Sequence, residues 1–304
     1  MSDRCDYSFV VLSHNRLEKL RFTLQRLADL RGPFSYEVIV VDNASTDGSR
    51  AMLESYPGIR LIAIDQNVGI SGWNRGLAEA VGAWMIVLDD DSLPFDEDIL
   101  NVFAEHESRL SSNVGICAFN VFWDQEGKDS WSSGWLERSL TFIGCGAAFR
   151  REMVEAIGGF DPRIFVYAHE LEYAMNAFQH GFEIVYLPEV RIWHNSNKRT
   201  RFDNFWMYHT TWSTIYGYLK WTPMPYLLKA VLLSSCLYFI SAFKTHTLGA
   251  WAKAHMAVLG ACYSIMRTRT PLKKEVHRRL SKRWLDARPR SFWMRLLLRG
   301  VWIT

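Results

Sequence analysis

Residues 81–98 read VGAWMIVLDDDSLPFDED, and the fold turns on how that stretch is read. Ala83 to Leu88 is an unbroken apolar run, and Asp89, Asp90 and Asp91 follow it without a spacer. A short apolar run with no polar alternation suits a strand covered on both faces. Three adjacent carboxylates repel one another and are costly to desolvate. Solvent, a partner cation or a metal must offset that cost at the mouth of such a strand.

Upstream, three further runs have the same character: YSFVVL (7–12), EVIVV (37–41) and IRLIAI (59–64). Leu17, Leu20, Leu24 and Leu27 recur at helical spacing after the first, and SGWNRGLAEAVG reads as a helix entered through a glycine-containing turn. Short strands alternating with helices predict an α/β fold with a mostly parallel sheet flanked by helices. Ligands of such sheets bind beyond the carboxyl ends of the strands. The polar clusters SHNR, DNASTD, QNVG and LDDDS all follow strands, so they should converge on one edge. Asp91-Ser92 could instead cap a helix near 96–106, and Ser45 or Asp47 the helix after the second strand. Further on, GCGAAFRR (144–151) reads as a small-residue loop. A helix from about Glu152, a turn at GGFDP, a helix from His169 to Gln179, a strand EIVYLP and another strand ending at His194 complete this region.

At 304 residues, 49% hydrophobic and 14% aromatic, the chain can bury one catalytic-sized domain plus an appendage, or two domains. Cys5, Cys117, Cys145, Cys236 and Cys262 are scattered without a CxxC pair, which argues against a zinc ribbon or disulfide framework and fits a reducing compartment. The opening MSDRCDYSFVVLSHN lacks a basic segment followed by a long apolar core, so no signal peptide and a cytoplasmic location are expected. The net charge of +3 is uneven: Arg267 to Arg299 holds twelve Lys/Arg against two acids, a local +10 that leaves −7 for the rest. Pro223 to Phe243 carries one charge, Lys229, and Leu248 to Met266 is apolar apart from Lys253 and His255. A spanning helix needs roughly 20 apolar residues. With aromatic and lysine residues at the edges and a basic tail behind, these helices read as lying in a membrane interface, the alternative being a buried helical hairpin with a solvated tail. The tail has no nucleic-acid-binding motif beside it, so nucleic acid is not an expected partner.

In this setting LDDDSLP resembles the Asp-x-Asp motif of nucleotide-sugar-dependent glycosyltransferases, and more specifically that of the inverting family 2 on the GT-A fold. The resemblance covers roughly residues 7 to 200. It implies a glycosyltransferase domain over 1–200, with 1–110 as the nucleotide-sugar-binding half and 111–200 as the acceptor side, followed by a helical, basic, membrane-associating extension over 201–304. It also implies a divalent cation, Mn2+ or Mg2+, held by carboxylates to neutralise a departing diphosphate. Asp91 is the expected first ligand, Asp89 reaches the ribose or shares the metal, and Asp90 belongs to the donor side.

By the same resemblance VIVVDNASTDGS supplies Asp42 for the nucleobase, with Ser13, Asn15 and Arg16 lining that pocket. NVGISGWNRG offers Asn67, Gly69, Asn74 and Arg75 to the diphosphate, although it is one residue shorter than the common pattern and carries the bulky Trp73. An inverting transfer needs a base for the acceptor hydroxyl. Aligning GGFDPRIFVYAHELEYAMNAF on the family's acidic pair puts His169 and Glu170 there, with Glu170 as base and Glu172 as its rival. Adjacent helix positions diverge by roughly 100°, so Glu170 and Glu172 cannot both aim into one site; both could simply complement the helix N-terminus. RIWHNS supplies His194 as a metal or diphosphate ligand, against the reading of a packed, hydrogen-bonded histidine. Gly144, Cys145 and Gly146 would bound the acceptor side, and Arg150 or Arg151 would touch phosphate. The implied partners are a nucleoside-diphosphate sugar, a glycan or lipid-linked acceptor, and the inner face of the cell membrane. Rhamnosyl and galactofuranosyl transfer both fit the motifs. A non-catalytic sugar-nucleotide-binding or scaffold protein, and a nucleotidyltransferase, remain the readings from other classes.

Overall fold

The structure, a computed structural model, describes residues 5–123, 139–196 and 203–286. Two compact units divide the chain. The first holds the residues up to Pro162 together with His180–Ser196, and the second holds Arg163–Gln179 and the chain from Asn197 on. Arg163–Gln179, which the sequence reading groups with the first 200 residues, thus packs with the C-terminal helices.

The first unit is an eight-stranded sheet. Its N-terminal half is β1 (Tyr7–Ser13), α1 (Leu17–Ala28), β2 (Tyr36–Asn43), α2 (Ser49–Glu54), β3 (Arg60–Ile64), α3 (Trp73–Glu79) and β4 (Trp84–Asp89). The strands lie in the order β3-β2-β1-β4, all parallel. These are the four expected runs; the middles of β1, β2 and β4 are fully buried (Phe9 to Val11, Ile39 to Val41, Val87 and Leu88), while β3 at the sheet edge is only half-buried. Register decides where the chemistry sits. Ser13 pairs with Asp42, and Leu12 pairs with Asp89, so the polar residues after three strands end side by side.

The second half of the sheet departs from the sequence reading in three places. Ser92–Pro94 forms β5, an edge strand antiparallel to β8 (Glu183–His194), and α4 (Ile99–Glu107) starts only after Asp98. Asp91-Ser92 therefore caps no helix; pairing Ser92 with His194 brings the histidine beside the acidic triplet instead. GCGAAFRR is only partly a loop. Ala147–Arg150 is β7, an antiparallel strand between β4 and β6 (Val114–Phe122), where fully buried Ala147 and Ala148 override the low strand propensity of alanine. The two strands expected before His194 are one, β8, whose register against β6 jumps between Leu187 and Arg191. Pro188, which has no N–H for a ladder, sits in that jump.

The helix α5 (Arg151–Ile157) begins where β7 ends. Arg150 donates to the Val114 carbonyl and lies 4.5 Å over the Trp84 ring, while Arg151 donates to the carbonyls of Ala80 and Gly82. Both arginines thus stand at the amino end of β4, opposite the carboxylates, and the expected phosphate contact is corrected.

The second unit is helical: α6 (His169–Gln179), α7 (Asn204–Trp221), α8 (Met224–Lys244), α9 (Leu248–Thr268) and α10 (Lys274–Asp286). The side chain of Asp203 accepts from Trp206 N and caps α7. Trp212 and Ser213 of α7 donate to the carbonyls of Arg163 and Val166, tying down the segment before α6. Helix α8 has a mean hydropathy of 1.7 over its most apolar window, yet Leu228, Leu232, Ile240 and Phe243 are exposed. Met256, Leu259 and Tyr263 are likewise exposed on α9. Residues 287–304, which hold part of the basic tail, lie outside the described residues.

Gly82 makes the tightest approach at the amino edge of the sheet. A Cβ there would stand 2.5 Å from both Ser8 N and Tyr7 C, which are backbone atoms of a fully buried strand. Gly82→Ala should therefore destabilise the chain by about 1–3 kcal/mol, read by denaturant or thermal unfolding, with ligand binding at the opposite edge retained in the folded fraction.

Candidate functional site

Each strand of the parallel half ends in a short polar turn, and side chains knit these turns together. Asn15 adopts φ 54° and accepts from Thr46 N at 2.7 Å, while its own N–H donates to Ser45 Oγ. Asn43, the last residue of β2, donates to Asn67 Oδ1 and the Gly69 carbonyl and accepts from Val68 N. Asp47 accepts from the backbone of both Leu17 and Ser49, so it ties the starts of α1 and α2 together, although the N-cap position of α2 is Gly48 rather than the expected Ser45 or Asp47. Gly69 holds φ 64°, a left-handed position that favours glycine.

Within this frame the acidic triplet splits into three environments. Asp90 is buried, accepting from His14 N at 3.0 Å and from Arg16 Nη1 at 3.2 Å. Burial pushes its pKa up to about 7, with Arg16 opposing and Asp91 adding to the rise. The Asp91 side chain is 0% exposed. Its Oδ2 meets Arg16 Nη1 at 2.7 Å and Lys19 Nζ at 3.3 Å, and its Oδ1 meets His194 Nε2 at 3.1 Å. Burial works against that charge, but His194, Arg16 and Lys19 outweigh it and hold the pKa below the ordinary carboxylate value. Burial also disfavours a charged His194 ring, and its acidic neighbours, Cys145 and Asp91, raise its pKa in spite of that. Asp89 is different: its side chain is 36% exposed, with Oδ2 4.0 Å from His194 Nε2.

Cys145 completes this corner. The turn Ile143–Gly146, closed by the Gly146 N–H to the Ile143 carbonyl, carries it. Gly146 has to be glycine, because a Cβ would lie 2.5 Å from Val121 Cγ2. One ligand atom each from Asp89, Cys145 and His194 lie within 4.8 Å of one another, the one such cluster among the described residues. Two carboxylates facing an imidazole form a donor set that suits a divalent cation.

At the ends of β1 and β2, Ser13 Oγ and Asp42 Oδ1 are buried with no hydrogen-bond partner. The other oxygen, Asp42 Oδ2, accepts from Arg50 Nε at 2.8 Å, which leaves Oδ1 as one open acceptor. Such orphans are rare in folded chains and mark where a ligand can bond. Of the residues expected at the diphosphate, Asn74 spends both amide atoms on the Phe160 backbone at 2.8 Å, Asn67 holds the Gly69 turn, and Arg75 is exposed on α3.

In the second unit, Tyr167 and Ala168 hold φ 64° and 51° directly ahead of α6. Consecutive left-handed non-glycine residues cost on the order of 1–3 kcal/mol each and concentrate at functional sites. Glu170 follows in the first turn, 23% exposed, with Oε2 3.4 Å from His169 Nδ1. Glu172 is 3% exposed and accepts from Lys220 Nζ at 2.6 Å and Trp221 Nε1 at 3.0 Å. It is therefore held as an internal ion pair.

The sequence reading missed His14, Lys19, Asn43 and Arg50. Lys19 carried a usable signal, since it is a second cation in the first turn of α1, three residues after Arg16. Arg50 pairs with Asp42 only because α2 turns back over β2, which no local pattern encodes.

Residues 8–158 match the family described as "Glycosyl transferase family 2". Among curated proteins, the succinoglycan biosynthesis protein ExoO of Rhizobium meliloti is 36% identical over 89 residues, which is 28% of this chain and 25% of that one. The uncharacterized glycosyltransferase YfnE of Bacillus subtilis is 32% identical over 120 residues, 38% of this chain and 30% of that one. The chain thus matches about a quarter to a third of the length of these relatives. Among solved structures, the mannosyltransferase PcManGT of Pyrobaculum calidifontis, in complex with GDP-Man and Mn2+, superposes with a TM-score of 0.56 at 22% identity, covering 86% of this chain and 76% of that one. Residues 1–349 of S. aureus TarS, in complex with UDP, give 0.54 at 15% identity, over 84% and 92%. The sheet order and the strand-end polar row are those of a GT-A fold, and through residues 8–158 the chain belongs to glycosyltransferase family 2.

Proposed function

We propose that the chain is an inverting glycosyltransferase of cell-surface polysaccharide synthesis, moving a sugar from a nucleoside diphosphate to a glycan or lipid-linked acceptor. One observation carries this reading. Buried, partnerless Ser13 Oγ and Asp42 Oδ1 end two strands, Asp89 ends β4 beside them, and His194, at the end of β8, stands 4.0 Å from Asp89. The open Asp42 oxygen accepts an N–H from the nucleobase, and Ser13 lies next to it in register. Asp89 and His194, with Asp91 beside them, hold a divalent cation, which when bound neutralises charge developing on the departing diphosphate. Arg16 and Lys19 add positive charge at the same edge. The GDP-mannose and Mn2+ bound by the mannosyltransferase and the UDP bound by TarS support a sugar-nucleotide donor and Mn2+. Rhamnose and galactofuranose are the donor sugars that LDDDSLP with NRG, and ELEY, favour.

Glu170 is the base. It takes the proton of the acceptor hydroxyl while that oxygen bonds to the anomeric carbon, opposite the breaking bond to the diphosphate. Glu172 is unsuited to that task, because it is 3% exposed and its Oε1 is held by Lys220 and Trp221. The same reading covers the C-terminal helices. Between Asp203 and Glu275 the chain has no carboxylate at all, while Lys244, Arg267, Arg269, Lys273 and Lys274 gather at the ends of α8 and α9. An exposed apolar face bordered only by cations matches an anionic lipid surface, so the protein works at the inner face of the cell membrane.

A thermal-shift panel of UDP-, dTDP- and GDP-sugars, each with and without Mn2+, should single out one donor that stabilises only with the ion. At a hundred times Kd the stabilisation is about 2.7 kcal/mol. Undiminished turnover after thorough chelation, or no donor that binds, would overturn the assignment. With that donor, Asp89→Asn should lose the Mn2+-dependent shift. Glu170→Gln should keep it and lose about 10²–10⁴-fold in transfer rate. Glu172→Gln should instead lower the melting temperature, because it leaves the partly buried Lys220 without its counter-charge, at a cost of about 1–3 kcal/mol.

Vesicle flotation tests the membrane surface. The full chain should float with vesicles containing phosphatidylglycerol and much less with pure phosphatidylcholine. A Leu228→Ser, Leu232→Ser, Phe243→Ser variant should lose most of that binding at unchanged melting temperature. A chain that elutes as a stable dimer and ignores both vesicles would show that a second copy covers this face.

A further inference from the structure

Cys145 is the one member of the strand-end cluster that a site for hard cations does not call for. It is buried, and its Sγ lies within 4.8 Å of ligand atoms of both Asp89 and His194. Three separate segments bring these donors together: the end of β4, the turn Ile143–Gly146 and the end of β8. Each placement is fixed independently. β4 is central in the sheet, Gly146 is locked against Val121, and His194 is held by its pairing with Ser92 and its bond to Asp91. Buried cysteines commonly act as small apolar fillers. Cys117 is such a residue, fully buried in mid-strand. Cys145 instead lies against an imidazole and a half-exposed carboxylate, with solvent access on the Asp89 side.

We propose that Cys145 is a ligand of the cation site, so that this chain takes a thiolate-coordinated, borderline-soft divalent ion such as Co2+ or Zn2+ through Asp89, His194 and Cys145, ahead of Mg2+. This deepens the reading of the strand-end carboxylates as a cation site and rests on it. The chemistry follows from donor softness. Mg2+ requires oxygen ligands in a near-octahedral shell and has no affinity for sulfur, whereas Zn2+ and Co2+ accept sulfur, imidazole and carboxylate together in a four-coordinate shell. Three protein ligands leave a fourth position for water or a diphosphate oxygen. On binding, the Cys145 thiol and the ligating ring nitrogen give up any protons they hold to solvent, and no electron is transferred.

The test uses the full chain stripped with chelator and titrated with cobalt chloride. One equivalent of Co2+ should produce a near-ultraviolet thiolate-to-cobalt charge-transfer band. One equivalent of Zn2+ should abolish the band by displacement, and excess Mg2+ should leave it. Cys145→Ser should remove the band and weaken Co2+ binding by about tenfold or more. A Cys5→Ser, Cys236→Ser, Cys262→Ser variant should keep both. Zinc K-edge absorption on the unmutated chain should find one sulfur neighbour, a readout that does not depend on how Cys145→Ser folds. Bound cobalt without the band, a band that survives in Cys145→Ser, or an all-nitrogen-and-oxygen zinc shell would each overturn the proposal. None of these measurements involves a sugar donor. A chain that transfers nothing can still pass them, and one that transfers sugar with Mn2+ can still fail them.

Discussion

Everything at the functional edge depends on how the sheet accommodates two buried carboxylates. Asp90 and Asp91 follow β4 into the interior, where an uncompensated charge would cost several kcal/mol after relaxation. Arg16 bridges both, and Lys19 and His194 close on Asp91 from two other sides. That network clamps the start of α1 to the end of β4 and to the end of β8. Ring orientation at His194, the approach of β5 and the exposure of Asp89 all follow from it. The charge repulsion visible in the sequence is thus largely answered by the protein's own cations, and Asp89 is the most solvent-exposed member of the triplet.

The division of labour bears on how a divalent ion competes. Where Arg16 and Lys19 already saturate Asp91 Oδ2, an incoming ion finds only Asp91 Oδ1, and that oxygen is shared with His194. On the proposed reading, a cation held by Asp89 and His194 would compete with a proton on the imidazole rather than fill an empty carboxylate cage. Affinity at such a site falls as pH falls, since protons and metal compete for the same nitrogen. The positive charges around Asp91 also lower the site's net negative potential, so a neutral or anionic ligand can approach without the repulsion that three free aspartates would impose.

The parallel half of the sheet was legible because strands buried on both faces read as continuous apolar runs, and the loops after them declare their polarity openly. Legibility failed where identity and environment disagree. Ala147 and Ala148 look like loop residues and form a central strand, because the close packing there admits only small side chains. Ser92–Pro94 is too short to carry a period. Nor could periodicity separate Glu170 from Glu172: both stand in the first turn of one helix, and the difference is made by Lys220 and Trp221, almost fifty residues away. The resemblance of NVGISGWNRG to a family motif assigned Asn74 to a ligand, whereas in the fold both of its amide atoms bond the Phe160 backbone, a contact across 86 residues that no local pattern encodes.

The two units also solve opposite electrostatic problems, and the contrast says why one chain carries both. The first concentrates acids at a sheet edge and neutralises them with cations drawn from a helix start and a histidine. The second excludes carboxylates over a long stretch, so its apolar helices meet their surroundings with cations alone. Its one buried acid on α6, Glu172, is cancelled by Lys220 inside the unit and lends nothing to the surface. A surface without acids gains from an anionic lipid layer roughly 1 kcal/mol for each nearby Lys or Arg, with no opposing term to subtract. The exposed apolar faces of α8 and α9 add an attraction that salt does not screen. Binding that combines the two should weaken with ionic strength yet persist above zero at high salt, whereas a purely ionic contact would vanish.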